Sequence, residues 1–276
     1  MSPANRTATH RDAHLNTVES SRRLFGLDPG AEVESGDGWL FGAGRSTHPL
    51  ISNGAFRVDD GLNPDEHIER ARAWFAERGR GFAVWTRAGA TEDGDLIEAA
   101  ERAGLQNAYA MPEMVLVGEG GSPPPRFALP TPEGIEPARV ESAADAADYW
   151  RVATESYADI GFPPEIFAFY ENHEYLWADD AAAFLARVDG RPAAISMTIV
   201  SHGVAGIYWV GTTERARGRG LGAAMTAAAV DAGLEIGATS ASLQASPMGE
   251  PIYLRMGFEM VYDYRLYLCP MPQTAD

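Results

Sequence analysis

A short segment rich in glycine and arginine, Arg217-Gly218-Arg219-Gly220-Leu221-Gly222, has residue types that bind phosphate. Glycine lets the backbone turn sharply and come close to a ligand. The segment follows an apolar run and precedes an alanine-rich stretch, which predicts a strand, a turn and a helix. The first amides of a helix are unpaired donors at the positive end of its dipole, and the two arginines add positive charge. The sequence therefore predicts a site for a pyrophosphate group.

Two phosphate-binding patterns can be tested against this segment. The P-loop pattern fails because Gly222 is followed by Ala223 where that pattern needs Lys and then Ser or Thr. The dinucleotide pattern is met at Gly218, Gly220 and Ala223. It also needs an acidic residue about 20 positions later for the ribose, and residues 238–243 contain none. NAD binding is therefore an alternative that lacks part of its pattern.

The segment resembles the coenzyme A loop of the GCN5-related N-acetyltransferases (GNAT). The family pattern Gln/Arg-x-x-Gly-x-Gly/Ala is met by Arg217, Gly220 and Gly222. The resemblance covers roughly residues 135–268, nearly the whole second half of the chain. It implies the GNAT fold, an α/β fold built on a mixed sheet.

A second family pattern follows the next strand. GNAT proteins place Asn-x-x-Ala-x-x-Leu-Tyr there, followed by a Gly-Phe pair. In this chain Tyr253 precedes Gly257-Phe258 at the family spacing, while Ser246 and Gly249 stand where the family has Asn and Ala. The resemblance implies that the Ser246 hydroxyl partly replaces the Asn contact with the cofactor.

The resemblance implies transfer of an acetyl group from acetyl-CoA to a primary amine on a small molecule or a peptide. The strands ending at Thr212 and Ser246 would splay apart around the pantetheine arm, and the amine would attack the thioester directly. Tyr253 would protonate the departing thiolate, which suits a phenol with a pKa near 10. The cofactor-binding residues implied are Val210, Gly211, Thr212, Arg217, Gly218, Arg219, Gly220, Leu221, Gly222, Ala223 and Ser246. The alternative is a non-catalytic acyl-CoA-binding or regulatory module that keeps the loop without turnover.

The sequence does not identify a general base, because the strand before the loop has no carboxylate. The candidates that could face the cleft are Glu155, Asp159, Glu165, His173 and His202, and a chain of water molecules is an alternative. Relatives form the acceptor wall near the loop Tyr157–Pro164. An aromatic run follows that loop, and we expect one or two of its members in the acceptor pocket: Phe167, Phe169, Tyr170, Tyr175 and Trp177.

Composition excludes several classes of protein. The formal charge of the 276-residue chain is −17, with 39 acidic and 22 basic side chains, which disfavours nucleic acid and anionic membranes and favours cationic partners such as amines. No apolar run approaches the roughly 20 residues that span a bilayer, and the N-terminus lacks the apolar stretch of a secretory signal. A single cysteine, Cys269, excludes an internal disulfide and a cysteine-based zinc cluster. We therefore expect a cytoplasmic protein that needs no metal; its oligomeric state is not specified.

The elements that must position the loop form two similar series. In the first half the patterns predict strands at 38–42, 55–58, 82–86 and 114–117, and helices at 64–78 and 95–103. In the second half they predict helices at 143–157, 220–234 and 252–256, a further helix starting near residue 163, and strands at 182–188, 193–200, 205–211, 241–245 and 258–268. Ser142 is a predicted helix N-cap, and Asp189-Gly190 a predicted hairpin turn. Both halves end in strand, helix, strand, helix, strand, which indicates a tandem duplication.

These patterns divide the chain into four segments. Residues 1–13 are polar and unpatterned, which predicts a disordered tail. Residues 14–118 would be a degenerate GNAT-like domain without a coenzyme A loop, since its corresponding turn, Asp59-Asp60-Gly61-Leu62-Asn63, has the wrong charge for phosphate. Residues 119–134 are rich in Gly and Pro and predict a linker. Residues 135–270 would be the catalytic domain, with the first half bracing it or lending a wall to the acceptor pocket.

Overall fold

The computed structural model describes residues 3–50, 52–127, 135–159 and 161–271. Its helices are α1 Pro3–Gly26, α2 Pro64–Glu77, α3 Gly94–Arg102, α4 Ala143–Ala158, α5 Glu165–Ala168, α6 Leu221–Ile236 and α7 Glu250–Arg255. Its strands are β1 Glu32–Gly36, β2 Trp39–Ala43, β3 Asn53–Arg57, β4 Phe82–Ala88, β5 Gln106–Leu116, β6 Ala138–Arg139, β7 Ala181–Val188, β8 Arg191–Ser201, β9 Val204–Thr212, β10 Ser240–Gln244 and β11 Glu259–Cys269. No helix in these ranges is long and apolar enough to cross a membrane.

Both halves end in the order strand, helix, strand, helix, strand, as the patterns predict, and in both a three-stranded meander leads into this series; β1 of the first meander was not predicted. In the first half, β1, β2 and β3 form an antiparallel meander, and β4 returns parallel to β3 after α2. In the second half, β7, β8 and β9 form the meander, and β10 returns parallel to β9 after α6. Each half then adds a helix and a last strand, which is β5 in the first half and β11 in the second.

The two last strands are exchanged between the halves. Within the described residues the strands make one sheet in the order β1-β2-β3-β4-β11-β5-β10-β9-β8-β7-β6. Strand β11 therefore pairs with β4 of the first half, and β5 pairs with β10 of the second. The halves share a single sheet, so the boundary predicted near residue 118 divides the chain without dividing the sheet.

Helices cover both faces of this sheet. Trp39, Phe41 and other alternate strand residues pack against α2 and α3, and those of the second half pack against α6. Side chains on the opposite face, such as Leu40 and Ile195, pack against α1 and α4. The predicted Ser142 cap accepts a hydrogen bond from the Asp145 amide, and Asp189 and Gly190 have φ of 51° and 73° in the predicted turn.

The N-terminal segment differs from the disordered tail predicted for residues 1–13, because α1 begins at Pro3. The side of α1 that faces the sheet includes polar residues that are fully buried. His14 Nδ1 lies 2.8 Å from the Tyr264 hydroxyl, and Asn16 Nδ2 donates to the carbonyl oxygens of Ile199 and Val204 at 3.1 and 2.9 Å. These partners lie about 180 or more positions away, so the helix is stabilised by contacts that a local pattern does not record.

The predicted linker is partly described. After a 3₁₀ turn at Glu119–Gly121 the chain runs along α6, where Arg126 pairs with Glu235 and the Phe127 amide donates to Asp231. Residues 128–134, with Pro130 and Pro132, lie outside the described residues.

Candidate active site

The glycine-rich segment forms a tight turn between β9 and α6. Gly218 and Gly220 have φ of 73° and 80°, in the left-handed region that favours glycine. A Cβ atom at either position would meet no other atom within 4 Å. The two glycines are therefore needed for the backbone conformation rather than for space.

This turn presents a run of unpaired amides. Gly220 caps α6 without a side-chain hydrogen bond, and none of the amides from Gly218 to Ala223 meets an acceptor within the described residues. Consecutive free amides at the positive end of a helix are the geometry of an anion-binding site.

The two arginines of the turn differ in their surroundings. Arg217 is held in place, because its Nη2 lies 2.5 Å from Asp159 Oδ2 and its Nε donates to the Thr212 carbonyl at 3.3 Å. Arg219 is exposed and, in the described part of the chain, has no acidic side chain within ion-pair distance. Its charge is therefore available to a ligand at the turn.

An opening between two parallel strands lies beside the turn. Strands β9 and β10 pair from Val204–Ser240 to Gly206–Ser242. Beyond that point β9 continues to Thr212 and β10 to Gln244, with no pairing between them in the described residues. The splay implied by the resemblance is thus present, and a cavity of about 840 Å³ occupies it.

A β-bulge shapes the β9 side of this opening. Trp209 and Val210 together oppose Ser196, and Trp209 has a φ of 51°. Bulges re-aim side chains and backbone groups at the edge of a ladder. The Val210 carbonyl accepts a hydrogen bond from the Tyr157 hydroxyl at 3.3 Å. Gly211 lies so close to α4 that a Cβ atom would come within 2.3 Å of Ser156 Oγ.

Tyr253 lies on the opposite wall of the opening, on α7. Its side chain is 7% exposed and lines the cavity, and burial raises the pKa of its phenol to about 12. The ring packs against Gly249, where a Cβ atom would come within 2.7 Å of it. In this conformation an alanine at position 249 would require the Tyr253 ring to shift. Ser246 also lines the cavity, and its Oγ accepts a hydrogen bond from the Gly249 amide at 3.2 Å.

Comparison with known proteins agrees with this geometry. Residues 132–247 match the family model described as the acetyltransferase (GNAT) domain. The match spans 116 of the 276 residues, and this part of the chain is therefore similar to GNAT acetyltransferase domains. The match ends before Tyr253, so the predicted general acid lies outside the segment that the family model covers.

Solved GNAT structures share the fold over most of the chain. A GCN5-related N-acetyltransferase from Kribbella flavida has 21% identity, covers 95% of this chain and 96% of its own, and has a TM-score of 0.69. A second, from Sphaerobacter thermophilus, has 15% identity, coverage of 87% and 78%, and a TM-score of 0.62. A tandem GNAT protein from the clavulanic acid biosynthesis pathway has 13% identity, coverage of 90% and 86%, and a TM-score of 0.59. At these identities the likeness concerns the fold. No curated protein matches the chain significantly.

An aromatic wall lines the cavity next to the bulge. The Trp209 ring lies 5.2 Å from the Tyr157 ring and 6.4 Å from the Tyr170 ring, measured between centroids. Of the predicted aromatic run, Phe169 and Tyr170 line the cavity. The other three members do not: Phe167 is buried in the core, Tyr175 packs on Gly26, and Trp177 is 37% exposed.

The candidate bases singled out in the sequence lie elsewhere. The described residues that line the cavity include none of the five candidates, which are Glu155, Asp159, Glu165, His173 and His202. Asp159 is engaged by Arg217, and Glu155, Glu165 and His202 are exposed. The described residues also contain no cluster of His, Cys, Asp and Glu that could hold a metal ion.

The first half supplies the far side of the cavity, which is one of the two roles expected for it, although the sequence patterns did not single out the residues that do so. Helix α1 and the segment after it contribute Ser21, Leu24, Phe25 and Asp28, and the first-half strands and their loops contribute Ser46, His48, Ser52, Phe56, Trp85, Tyr109 and Met111. Asp28 is paired with Arg45 at 2.6 Å, so its charge is compensated. Burial lowers the pKa of His48, which favours its neutral form. A resemblance confined to the second half contained no signal for these residues.

The corresponding position in the first half is filled by the protein itself. Strands β3 and β4 pair from Gly54–Ala83 to Phe56–Trp85, and just beyond this pairing Arg57 and Arg87 converge on Asp93 at 3.0 and 2.7 Å. Burial alone would raise the pKa of Asp93, but the hydrogen bonds and charge of Arg87 lower it to about 2. This buried ion cluster lies at the place in the first half that corresponds to the opening between β9 and β10.

Proposed function

We propose that the protein is an N-acetyltransferase that transfers the acetyl group of acetyl-CoA to a primary amine by direct attack. The observation that carries the proposal is the run of free amides from Gly218 to Ala223 at the mouth of the opening between β9 and β10. A diphosphate fits these donors and the uncompensated charge of Arg219.

The remaining residues of the opening have compatible roles. The unpaired edge of β9 at Val210, Gly211 and Thr212 would bind the pantetheine arm through the backbone. One of these amides would polarise the thioester carbonyl, and a preorganised donor of this kind contributes several kcal/mol. Acetyl-CoA, when bound, supplies an activated acetyl group. Cys269 lies outside the cavity wall, so a direct attack by the amine suits the site better than a cysteine intermediate.

Tyr253 is the proposed general acid. It holds its proton in neutral solution because burial raises the pKa of the phenol to about 12. Tyr253 therefore carries the proton that this step requires. Because an ordinary thiol has a pKa of about 8.5, the raised pKa of the phenol makes the donation itself less favourable. The amine would enter from the side of the aromatic wall and of the first half, and the net charge of −17 favours a cationic acceptor.

The test is thiol release from acetyl-CoA by the purified full chain against a panel of primary amines, including alkyl, aromatic and peptide amines. Release that depends on both the amine and the protein is the expected result. Tight binding of acetyl-CoA without turnover on any amine would favour the non-catalytic binding module instead. Thermal shifts test the NAD alternative, because a ligand at 100 times its Kd stabilises the folded state by about 2.7 kcal/mol. Acetyl-CoA should raise the Tm by several degrees and NAD should not.

A further inference from the structure

A carboxyl group lies buried at the centre of the shared sheet. Glu113 is on β5, the strand that the first half inserts between β10 and β11, and its side chain is fully buried. Its Cα partners are Gln244 on β10 and Tyr262 on β11. An acidic side chain at such a place needs an explanation, because burying a carboxyl group without an ion pair is unfavourable.

The carboxyl group is only half satisfied. Gln244 Nε2 donates to Glu113 Oε2 at 2.6 Å and also to Thr17 Oγ1 at 3.1 Å. Glu113 Oε1 meets no hydrogen-bond partner within the described residues. Burial raises the pKa of this carboxyl group to about 8, against the opposing effects of Gln244 and of the neighbouring Ser242 hydroxyl, which lies outside good hydrogen-bond geometry.

Glu113 lies beside the acceptor side of the cavity. Alternate residues of a strand share one face, so Glu113 faces the same side as Tyr109 and Met111, which line the cavity. Gln244, which holds the carboxyl group, is itself part of the cavity wall and half-buried. It lies two residues before Ser246, which corresponds to about 7 Å along a strand. The carboxyl group is thus next to the closed end of the opening, separated from it by the Gln244 side chain.

The other ionisable groups around Glu113 are fixed in one state near neutral pH. Burial raises the pKa of Tyr208 on β9 and of Tyr262 and Tyr264 on β11 well above the neutral range, and it lowers the pKa of His14 on α1 to about 4. Arg87 on β4 is paired with Asp93. Among these described groups, Glu113 is the one whose proton exchanges near neutral pH.

We propose that Glu113 accepts the proton that a protonated amine must lose before it attacks the thioester, an inference that rests on the proposed acetyl transfer. The ammonium N–H bond breaks and a carboxyl O–H bond forms, so R–NH₃⁺ and the Glu113 carboxylate become R–NH₂ and a neutral carboxylic acid. Rotation of the Gln244 side chain opens the carboxylate to the amine. The proton then passes to solvent before the next turnover.

The buried position suits this exchange better than an exposed carboxylate would. An alkylammonium ion has a pKa near 10, and an ordinary glutamate has one near 4.5. At pH 7.5 a carboxyl group with a pKa of about 8 is ionised in roughly one quarter of the molecules, and only these can accept the proton. In them the transfer is roughly 3000-fold more favourable than to an ordinary glutamate, since each pKa unit is a factor of ten. A base whose pKa is near the working pH is also the most efficient one.

The test compares Glu113→Gln with a matched control, Glu101→Gln, on two kinds of amine. Glu101 accepts a hydrogen bond from Tyr267 in the first half, outside the cavity wall, so the control makes the same chemical change elsewhere. An alkyl amine arrives protonated at pH 7.5, whereas an aromatic amine such as aniline arrives neutral. For Glu113→Gln we expect kcat/KM to fall about 100-fold with the alkyl amine and less than threefold with the aromatic amine. The limb of the pH profile near pH 8 should disappear as well. Glu101→Gln should match the wild type.

The other outcomes overturn the proposal. Equal losses with both amines would assign Glu113 a purely structural role, and an unchanged pH profile would remove it from proton transfer. A wild type that acetylates no amine would overturn the proposed function and, with it, the role of Glu113. If the wild type is active and Glu113→Gln has the same kcat/KM with both amines, this inference alone would be overturned.

Discussion

The buried carboxyl group of Glu113 predicts how the stability of the protein depends on pH. In the unfolded chain this group has its ordinary pKa of 4.5, and in the folded protein burial raises the pKa to about 8. Between these values the folded state holds a proton that the unfolded state has lost. By linkage, the free energy of unfolding falls as the pH rises from about 4.5 to about 8. Above that range Glu113 has lost its proton in both states and no longer changes the stability.

The magnitude follows from the size of the shift. Each pKa unit corresponds to about 1.4 kcal/mol, so the full window is worth about 5 kcal/mol. Most of it, about 3 kcal/mol, falls between pH 5 and pH 8. Glutamine at position 113 has a similar shape, accepts the same Gln244 hydrogen bond and does not titrate. Its other effects on packing are independent of pH, so they cancel when one pH is compared with another.

The assay is urea unfolding of the wild type, Glu113→Gln and Glu101→Gln at several pH values from 5 to 8, with the free energy taken from the midpoint at constant m-value. The free energy of unfolding of Glu113→Gln relative to the wild type should rise by about 3 kcal/mol across this range. Glu101→Gln should show no such trend. A difference between Glu113→Gln and the wild type that stays constant from pH 5 to pH 8 would refute the reasoning, because it would mean that Glu113 titrates alike in both states.

Three further predictions concern the loop, the general acid and the ion cluster of the first half. Tyr253→Phe should lower kcat about 100-fold or more and leave the acetyl-CoA Kd nearly unchanged, by thiol release and calorimetry; unchanged turnover would remove Tyr253 from the mechanism. Arg219→Ala should weaken acetyl-CoA binding about tenfold at low salt and much less at 0.5 M salt, because an exposed charge is screened; equal weakening at both would contradict the electrostatic role. Arg57→Met should lower the free energy of unfolding by about 3 kcal/mol without changing the acetyl-CoA Kd, since it breaks a buried ion pair far from the loop. Weaker acetyl-CoA binding by a folded Arg57→Met variant would contradict this prediction, because it would show that the ion cluster of the first half affects the cofactor site.

The elements of the second half could be predicted because their determinants are local. The glycine-rich turn before α6 depends on glycines at fixed spacing, the start of α4 depends on Ser142, and the hairpin depends on Asp189-Gly190. Each of these signals acts within a few residues, and the structure has the corresponding turn, cap and hairpin where the patterns indicate them. The family resemblance implied that β9 and β10 splay apart, whereas the residues themselves did not indicate it.

The remaining features depend on long-range contacts. The buried face of helix α1 mixes polar residues such as His14 and Asn16 with apolar ones such as Val18 and Phe25, and the partners of the polar residues belong to distant strands. Strand β5 extends from Gln106, eight residues before its apolar portion, because β11 pairs along its whole length. The first part of the strand is largely exposed and contains Pro112, so the sequence alone indicates a loop there. The cavity residues of the first half were missed for the same reason.

The exchange of β5 and β11 explains how a half without a phosphate loop can still take part in the site. In the first half the ion cluster of Arg57, Arg87 and Asp93 occupies the place that corresponds to the opening. On a separate sheet, this half would therefore contribute no residue to the site. Because β5 lies directly beside β10, its cavity-facing residues reach the opening that the second half forms, and Glu113 lies next to Gln244. Helix α1 closes the same side of the sheet. The glycine-rich turn and the proposed general acid Tyr253 therefore belong to the second half, whereas the proposed proton acceptor Glu113 belongs to the first. The exchange of β5 and β11 brings them together.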